Sequence, residues 1–340
     1  MADSVHGPEA WPNSGSEVRR PTAVVGKKAK LPAKEKKLPR VIEHVKVDSS
    51  NMQSEPAHMH QYVESVVAPT CIHAVMQVLH EPGKKPQTDS FMWLYRTSGD
   101  ADKPVVLYEY QPGRGAKHPK EFLVGFKGYL HTDGYQGYHS LPEDITVVGC
   151  WAHARRKFDE AVKSLPKGKA KGSSASQGLT YCNLLFGIEQ EIADKTAEEK
   201  YEERLKQAKP VLDAMFSWAN SRTAAPKSAL GKALHYLKEQ WPYLTNYLKD
   251  GRLEISNNRA ERSIKPFVID RKNFLFANTP KGATGSAIMF SLIQTAIENG
   301  LDPYKYLTWL LKQAKDADLT DAQVVQNLLP WNTPMECRAK

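Results

Sequence analysis

Two carboxylates and a set of basic residues are the side chains of this sequence best suited to chemistry. Asp133 falls just past a short apolar run, FKGYL, that predicts a buried strand, and Glu261 lies within NNRAERSIK. A carboxylate at a strand end can hold a divalent cation, and neighbouring basic residues can hold a nucleic-acid backbone. These residue types in this arrangement indicate a metal-dependent phosphodiester enzyme.

Each carboxylate also has a simpler structural interpretation. Asp133 starts an Asp-Gly dipeptide, which by itself more often marks an ordinary turn. Asn258-x-x-Glu261 has the spacing of a capping box, in which the glutamate closes the start of a helix. However, an acid among so many bases would repel a phosphate backbone, and it makes sense if it holds a metal ion. The surrounding bases are Arg259, Arg262 and Lys265.

The composition predicts a globular protein with two domains, or one core with a large insertion. The chain has 340 residues, of which 41% are hydrophobic, enough for a packed core. It contains no run of eighteen apolar residues and no secretory signal pattern at its start. The four scattered cysteines favour reduced thiols, and we therefore expect a cytoplasmic protein.

The net charge of +9 is concentrated near the N-terminus. Residues 19–46 hold ten Lys or Arg against two acids. Such a basic segment can track phosphates through counterion release, although a solvated disordered tail is an equally good interpretation. We assign residues 1–68 to a mostly disordered basic arm, because they hold many Pro, Lys, Ser and Glu and little apolar periodicity.

The next segment, residues 69–160, predicts a ribonuclease-H-like α/β core with a mixed sheet. Order is expected to begin near Ala74. Three β-rich runs separated by turn clusters indicate an antiparallel meander, and a short helix and two further strands follow. This element order is that of the ribonuclease-H-like fold. The strands are expected at 74–80, 90–99, 104–112, 126–130 and 144–152, and the helix at 118–126.

The remaining chain predicts mainly helices. Residues 161–250 comprise a basic loop, 166–178, and an all-helical insertion with apolar residues at three- and four-residue steps. Its aromatic stripe, Tyr236, Trp241, Tyr243 and Tyr247, is expected to pack in a core. Residues 251–332 complete the catalytic core with helices near 284–299 and 303–315, and residues 333–340 form a tail.

With these elements placed, the sequence resembles bacterial insertion-sequence transposases of the family numbered sixty-six. The matching text is long and specific, and it extends from about Gln77 to Asn332. It consists of SFMWLYRTSGD, VLYEYQPGR, HTDGYQGYHSLP, VVGCWAHARRKFDEA, LEISNNRAERSIKPFVI, RKNFLFANTPKGA and LLPWN.

The resemblance implies a DDE transposase. In such enzymes two Asp and one Glu bind two Mg²⁺ or Mn²⁺ ions, which clamp the oxygens of an in-line displacement at phosphorus. Asp133 is then the second carboxylate and Glu261 the third, and double-stranded DNA, both element ends and target, is the partner. The resemblance also implies a homo-oligomer on DNA, in the bacterial cytoplasm and associated with the nucleoid. The implied DNA-binding residues are Arg155, Arg156, Lys157, Asn258, Arg259, Arg262 and Lys265.

The sequence departs from the family pattern at the first carboxylate. Family members place this Asp five residues before a Gln-Val-Leu, which is Gln77-Val78-Leu79 here, and the corresponding residue is Ile72. Cys71 and His73 are poor replacements, because Mg²⁺ prefers hard oxygen ligands. Asp270 also stands where a glycine is expected. Only fragments such as KLPR and VIEHVKV resemble the upstream DNA-binding region of the family.

Three interpretations remain open at this point. The chain is a transposase that is active through an unrecognised carboxylate, or an inactive DNA-binding remnant that binds element ends or inhibits an intact copy. The third is a structure-selective nuclease such as a junction resolvase. Cys150-x-x-His153 is expected to be a local structural pair, because a zinc site needs more than two ligands. The most economical hypothesis is a decayed or internally deleted transposase copy, which keeps the fold but whose DNA cleavage and strand transfer are impaired because position 72 lacks its carboxylate.

Overall fold

A five-stranded mixed sheet forms the centre of the protein. The computed structural model describes residues 70–339, so the basic arm predicted for residues 1–68 lies outside the described residues. The strands are β1 (Thr70–Gln77), β2 (Asp89–Arg96), β3 (Val106–Gln111), β4 (Gly128–Thr132) and β5 (Ile145–Val148).

The strand order, β3-β2-β1-β4-β5, confirms the predicted ribonuclease-H-like fold. β1, β2 and β3 form an antiparallel meander, and β4 and β5 join it in parallel to β1. β4 pairs Thr132 with Cys71, and β5 pairs Val148 with His131. The residues after β4 and β5 therefore lie beside the start of β1.

Successive side chains of β1 enter different cores, as the pleat of a strand requires. Cys71 packs with Trp93, Tyr95 and Leu130 on one face of the sheet. Ile72 packs with Leu94 and residues of a later helix on the other face. The sheet is therefore covered on both sides, which explains why seven of the eight residues of β2 are buried.

Helices cover both faces and enclose the sheet. They are α1 (Lys117–Phe122), α2 (Trp151–Lys163), α3 (Ser174–Glu191), α4 (Ala197–Glu203), α5 (Lys209–Asn220), α6 (Ala229–Leu244), α7 (Asn258–Phe274), α8 (Pro280–Glu298), α9 (Pro303–Ala314) and α10 (Ala322–Leu328). A π turn, Arg204–Ala208, joins α4 to α5. Within residues 70–339, no helix is both long enough and apolar enough to cross a bilayer.

The edge strand β3 is closed by side chains of α8. Thr295 Oγ1 accepts a hydrogen bond from the Val106 amide at 3.0 Å and donates one to the Val106 carbonyl at 3.0 Å. Ser291 Oγ accepts from the Tyr108 amide at 2.8 Å. Two hydroxyl groups therefore satisfy backbone groups that an edge strand otherwise leaves open to other strands.

Helices α3 to α6 form a helical block, in which α3, α5 and α6 share one apolar core with α2, and α4 has no buried residue. Tyr247 is buried in this core, and Tyr236 and Trp241 pack against it, as expected for a packing stripe. Tyr243 instead packs against the core of the sheet. The aromatic stripe therefore joins the helical block to the sheet.

A buried arginine fastens this block to the segment that precedes α7. Arg204 is 2% exposed, and its guanidinium donates to both carboxylate oxygens of Glu189 at 2.8 and 2.6 Å. It also donates to the carbonyls of Tyr247, Asp250 and Leu253 at 3.0, 2.9 and 2.8 Å. The segment after α6 is thus held by one side chain of the preceding helices.

Several predicted boundaries are wrong by a few residues. β1 begins at Thr70 rather than near Ala74. β5 ends at Val148 because the Gly149 amide donates to the Tyr243 carbonyl at 2.9 Å, at the end of α6. α3 begins inside the predicted basic loop, where the Ser173 side chain caps it by accepting from the Ser176 amide.

Residues near the C-terminus, which the sequence assigned to a tail, pack against α9. Cys337 is buried, and its carbonyl accepts from the Asp302 amide at 2.8 Å. The Ala339 amide donates to the Gly300 carbonyl at 3.0 Å. These C-terminal residues therefore pair with the backbone just before α9.

Candidate active site

Asp133 lies at the carboxyl end of β4, in a turn that the helical block supports. Its Oδ1 accepts from the Tyr135 amide at 3.0 Å, and Gly134 has a φ of 84°, which favours glycine. A Cβ at Gly134 would lie 2.9 Å from both Tyr236 Oη and Gln240 Oε1 of α6. Asp133 is thus part of an Asp-Gly turn and also lies at the end of a strand. The turn interpretation and the metal-ligand interpretation are therefore compatible.

Ile72 lies beside Asp133 but offers only carbon atoms. The β1–β4 ladder pairs Cys71 with Thr132, so Ile72 and Asp133 are the next positions along the two chains. Ile72 is 4% exposed, and it packs in an apolar cluster with Ala260 and Ile264 of α7. The side chain at position 72 therefore faces the helix that carries Glu261.

Glu261 lies in the first turn of α7, and two residues of α2 contact it. His153 Nε2 lies 2.9 Å from Glu261 Oε1, and Arg156 Nη2 lies 3.6 Å from Oε2. The close contact with His153 lowers the pKa of the Glu261 carboxyl, and the positive charge of Arg156 lowers it further. Glu261 is thus held as a carboxylate.

The alternative structural interpretation, a capping box formed by Asn258 and Glu261, is not what the structure has. Asn257 is the capping position of α7, and its side chain makes no capping hydrogen bond. Glu261 instead turns toward α2, because His153 and Arg156 provide positively polarised partners there.

Cys150 joins the end of the sheet to the start of α7. Its sulfur accepts from the Asn257 amide at 3.4 Å, and its carbonyl accepts from the His153 amide at 3.3 Å. Burial raises the pKa of the Cys150 thiol to about 11. Cys150 is thus a thiol in a structural contact, in agreement with the expected local pairing.

The basic residues predicted to bind DNA fall into two groups. Lys157 and Arg259 have partners inside the protein, since Lys157 Nζ lies 4.9 Å from the Tyr236 ring centroid and Arg259 Nε donates to Glu254 at 3.1 Å. The others are exposed or partly exposed on α2 and α7, and two of them, Arg155 and Arg156, also contact Asn183 and Glu261, respectively. The residues of this second group are Arg155, Arg156, Asn258, Arg262 and Lys265.

Sequence reasoning missed residues that position these groups. Arg96 of β2 is 1% exposed, and its guanidinium donates to Ser263 Oγ of α7 at 2.6 Å and to Glu298 of α8 at 3.1 and 2.9 Å. Tyr236 was assigned to packing and Gln240 was not singled out, because helical periodicity does not indicate which residues also meet the Asp133 turn. An arginine within an apolar strand was the available signal for Arg96.

Buried polar atoms without a hydrogen-bond partner surround this region of the described chain. They come from the end of β4, from α6 and from the start of α7. A buried polar atom normally has a partner, so these are places where water or ligand atoms could bind. The atoms are Thr132 Oγ1, Tyr236 Oη, Gln240 Oε1, Asn257 Oδ1 and Asn257 Nδ2.

The donor set does not fit the two-ion site that the resemblance implies. Among residues 70–339, no group of three or more His, Cys, Asp and Glu side chains is placed to hold one metal ion. Position 72, where the bridging carboxylate is expected, is an isoleucine inside an apolar cluster. A single Mg²⁺ is commonly held by one or two carboxylates with water and phosphate oxygens, so what position 72 removes is the carboxylate expected to bridge two ions.

Comparison with known proteins identifies the family. A model described as Transposase IS66 family matches residues 50–285, and a model of the IS66 C-terminal element matches residues 291–331. Two relatives are the uncharacterized proteins y4qI and y4hP of Sinorhizobium fredii. They are 32% and 31% identical to this chain, over 74% and 72% of it.

The chain spans about half the length of the curated relatives it matches, 48% of y4qI and 47% of y4hP. A solved structure, the Drosophila P element transposase strand transfer complex, is 11% identical over 82% of this chain and 80% of that chain. Its TM-score of 0.25 is too low to indicate a shared fold. The family models together cover most of the residues described above, from β1 to α10, and this chain belongs to the IS66 transposase family.

Proposed function

We propose that this protein binds DNA as a member of the transposase family without cleaving it by metal-dependent chemistry. The observation that carries the proposal is the combination of a basic surface around Glu261 with an apolar side chain at position 72. The first feature supports DNA binding, and the second removes a ligand from the ion site.

The basic surface supports backbone binding. Asn258, Glu261, Arg262 and Lys265 recur at three- and four-residue steps, so they share one face of α7. Arg156 of α2 contacts Glu261 and extends the positive charge to a second helix. Contacts from such residues to phosphates would be largely independent of base sequence.

The expected loss of DNA cleavage follows from the two carboxylates, Asp133 and Glu261, that remain when position 72 has none. The family generally uses a divalent metal, which when bound would polarise phosphate oxygens at Asp133 and Glu261. Here Glu261 is close to His153 and Arg156, and Ile72 cannot contribute an oxygen. The side chains of this protein would therefore hold and orient a DNA backbone without completing the ion site.

The other interpretations have less support. An active transposase needs a substitute carboxylate near Ile72, but Asp89 lies at the far end of β1, opposite Gln77. Asp100 lies in the loop after β2. The family match argues against an unrelated junction resolvase. Binding to element ends would also let this protein compete with an intact transposase, alone or as an oligomer.

A salt titration of DNA binding tests the proposal. We expect the affinity for a DNA duplex to fall steeply with salt, without added Mg²⁺, because phosphate contacts release counterions. Arg262→Ala should reduce the slope of log K against log salt by about 1, and Arg155→Ala with Arg156→Ala by about 2. Fluorescence anisotropy measures both quantities.

The control variant is Arg222→Ala, which removes an exposed arginine outside the proposed surface and should leave the slope unchanged. Unchanged slopes in all variants, or binding that is insensitive to salt, would rule out this surface. Mg²⁺-dependent cleavage of element ends by the unsubstituted protein, above the level of a Glu261→Gln variant, would contradict the absence of catalysis.

A further inference from the structure

A polar groove separates α2 from α3 of the helical block, directly beside Glu261. It has a volume of about 650 Å³, within the range of clefts that bind small ligands. Arg156 lines it and also lies 3.6 Å from Glu261, and Asn258, one turn before Glu261, lines it from α7. If a phosphate of a DNA strand binds at Arg156, the neighbouring nucleotide of that DNA strand would therefore lie at the groove.

The charge of the groove favours an anion. Arg155 and Arg156 line it, and the one acid in its lining, Asp159, is paired with Lys163 at 2.6 Å. Arg155 Nε donates to Asn183 Oδ1 at 2.7 Å, which holds the guanidinium across the groove and leaves its two terminal nitrogens for a phosphate.

The α3 wall carries side chains that can recognise a base. Asn183 and Gln190 are exposed there. The Gln190 amide offers a donor and an acceptor, and Asn183, whose Oδ1 already accepts from Arg155, offers its Nδ2 donor. Phe186 lies between them in sequence and provides an aromatic surface. Pairing occupies the Watson–Crick edge of each base in a duplex, and an unpaired nucleotide presents that edge to such amides.

A glycine keeps this wall open. Gly187 lines the groove, and a Cβ built there would meet no atom within 4 Å. The helix backbone is thus accessible to a ligand at this point, although glycine within a helix costs about 0.5–1 kcal/mol relative to alanine.

We propose that this groove binds one unpaired nucleotide of a DNA strand, with its phosphate at Arg155 and Arg156 and its base against α3. The proposal rests on the DNA binding proposed above and specifies the DNA form that is preferred. It gives the helical block a role in recognising a strand end or a distorted site, in addition to its packing role.

The test compares a fully paired duplex with the same duplex carrying a short unpaired end, by fluorescence anisotropy. We expect the unpaired end to bind about 5- to 50-fold more tightly, as one stacked and hydrogen-bonded base provides. Gly187→Leu fills the groove and should abolish this preference while keeping the affinity for the paired duplex within about twofold. Gly285→Leu is the matched control, because a Cβ at Gly285 of α8 also meets no atom within 4 Å.

A second pair of variants removes the amides without adding bulk at the backbone. Asn183→Leu with Gln190→Leu should reduce the preference, and Gln313→Leu, at an exposed glutamine of α9, should not. In addition, 5-bromouracil placed in the unpaired end should crosslink to peptides of α3 on irradiation. The urea midpoint of each variant shows that it folds.

The outcomes separate the two proposals. If the protein binds no duplex at low salt, the DNA-binding proposal fails and the groove proposal fails with it. Two outcomes would overturn only the groove proposal. In the first, duplex binding is normal but the duplex with an unpaired end binds no more tightly than the paired duplex. In the second, the Gly187→Leu variant still prefers the unpaired end. If the Arg155 and Arg156 variants bind both DNA probes more weakly by the same factor, and the Asn183 and Gln190 variants bind them as before, the groove contacts only the DNA backbone and the groove proposal is overturned.

Discussion

Replacing Ile72 with aspartate is expected to create Mg²⁺ and Mn²⁺ binding and DNA nicking that the unsubstituted protein lacks. Position 72 is adjacent to Asp133 in the β1–β4 ladder and faces α7, the helix of Glu261. A third carboxylate there would supply the hard oxygen ligand that the described residues do not provide. Isothermal calorimetry measures the metal binding, and a supercoiled plasmid reports nicking, which should rise by orders of magnitude.

The same substitution should destabilise the metal-free protein. It removes apolar contacts and places a carboxyl among Leu94, Ala260 and Ile264, at a cost of about 2–5 kcal/mol. Burial should raise the pKa of the new carboxyl, so the cost should be greater at neutral than at acid pH. Saturating metal should then recover about 2–3 kcal/mol, visible as a rise in Tm.

Ile72→Asn is the matched control, because asparagine resembles aspartate in size and polarity but has no ionisable carboxyl. It should show the loss of stability without any rise in Tm on adding metal. Equal metal binding in the unsubstituted protein and in Ile72→Asp would mean that the first carboxylate lies elsewhere. If neither binds metal, Asp133 and Glu261 are not positioned to share an ion, and only DNA binding remains to be tested.

Replacing Arg204 with methionine should reduce stability by about 3–5 kcal/mol, because it leaves the charge of Glu189, whose side chain is 14% exposed, without its partner. It also removes the donors of three carbonyls in the segment from Tyr247 to Leu253. Each unsatisfied buried acceptor costs about 1–3 kcal/mol unless water reaches it. Urea denaturation monitored by tryptophan fluorescence measures the loss.

Lys209→Met is the control, because it breaks an ion pair with Asp213 whose side chains are 54% and 65% exposed. Exposed pairs of this kind contribute little, at most about 1 kcal/mol. Adding Glu189→Met to Arg204→Met should recover only part of the stability, since the carbonyls remain without donors. If Arg204→Met shifts the midpoint no more than Lys209→Met, the buried arginine does not fasten the helical block.

The fold was largely predictable because its signals are local. Alternating and apolar runs between turn clusters indicate the strands, and their order in sequence, three strands, a helix, then two strands, matches the observed sheet. The errors arise where a distant segment decides the boundary. β5 stops because the end of α6 bonds to Gly149, and no feature of residues 144–152 indicates this contact.

The candidate site was only partly predictable. Asp133, Glu261 and the basic residues were proposed from residue type and family resemblance, and Ile72 was singled out from its place in the family pattern. The contacts of Glu261 with His153 and Arg156 depend on how α2 lies against α7, which sequence spacing does not give. The groove beside α3 likewise depends on packing between helices separated by a basic loop.

The closure of β3 by α8 has a consequence for synthesis of the protein. The bond between Val106 and Thr295 spans 189 residues, so at the usual elongation rate the strand waits roughly 10–40 s for its partner. During that time the nascent chain exposes an open strand edge and the apolar sheet face that α8 will cover. Folding on the ribosome should therefore finish late. Nascent chains arrested after α6 should bind a ribosome-associated chaperone, and nascent chains extended past α8 should release it. Equal chaperone crosslinking at both lengths would contradict this order of events.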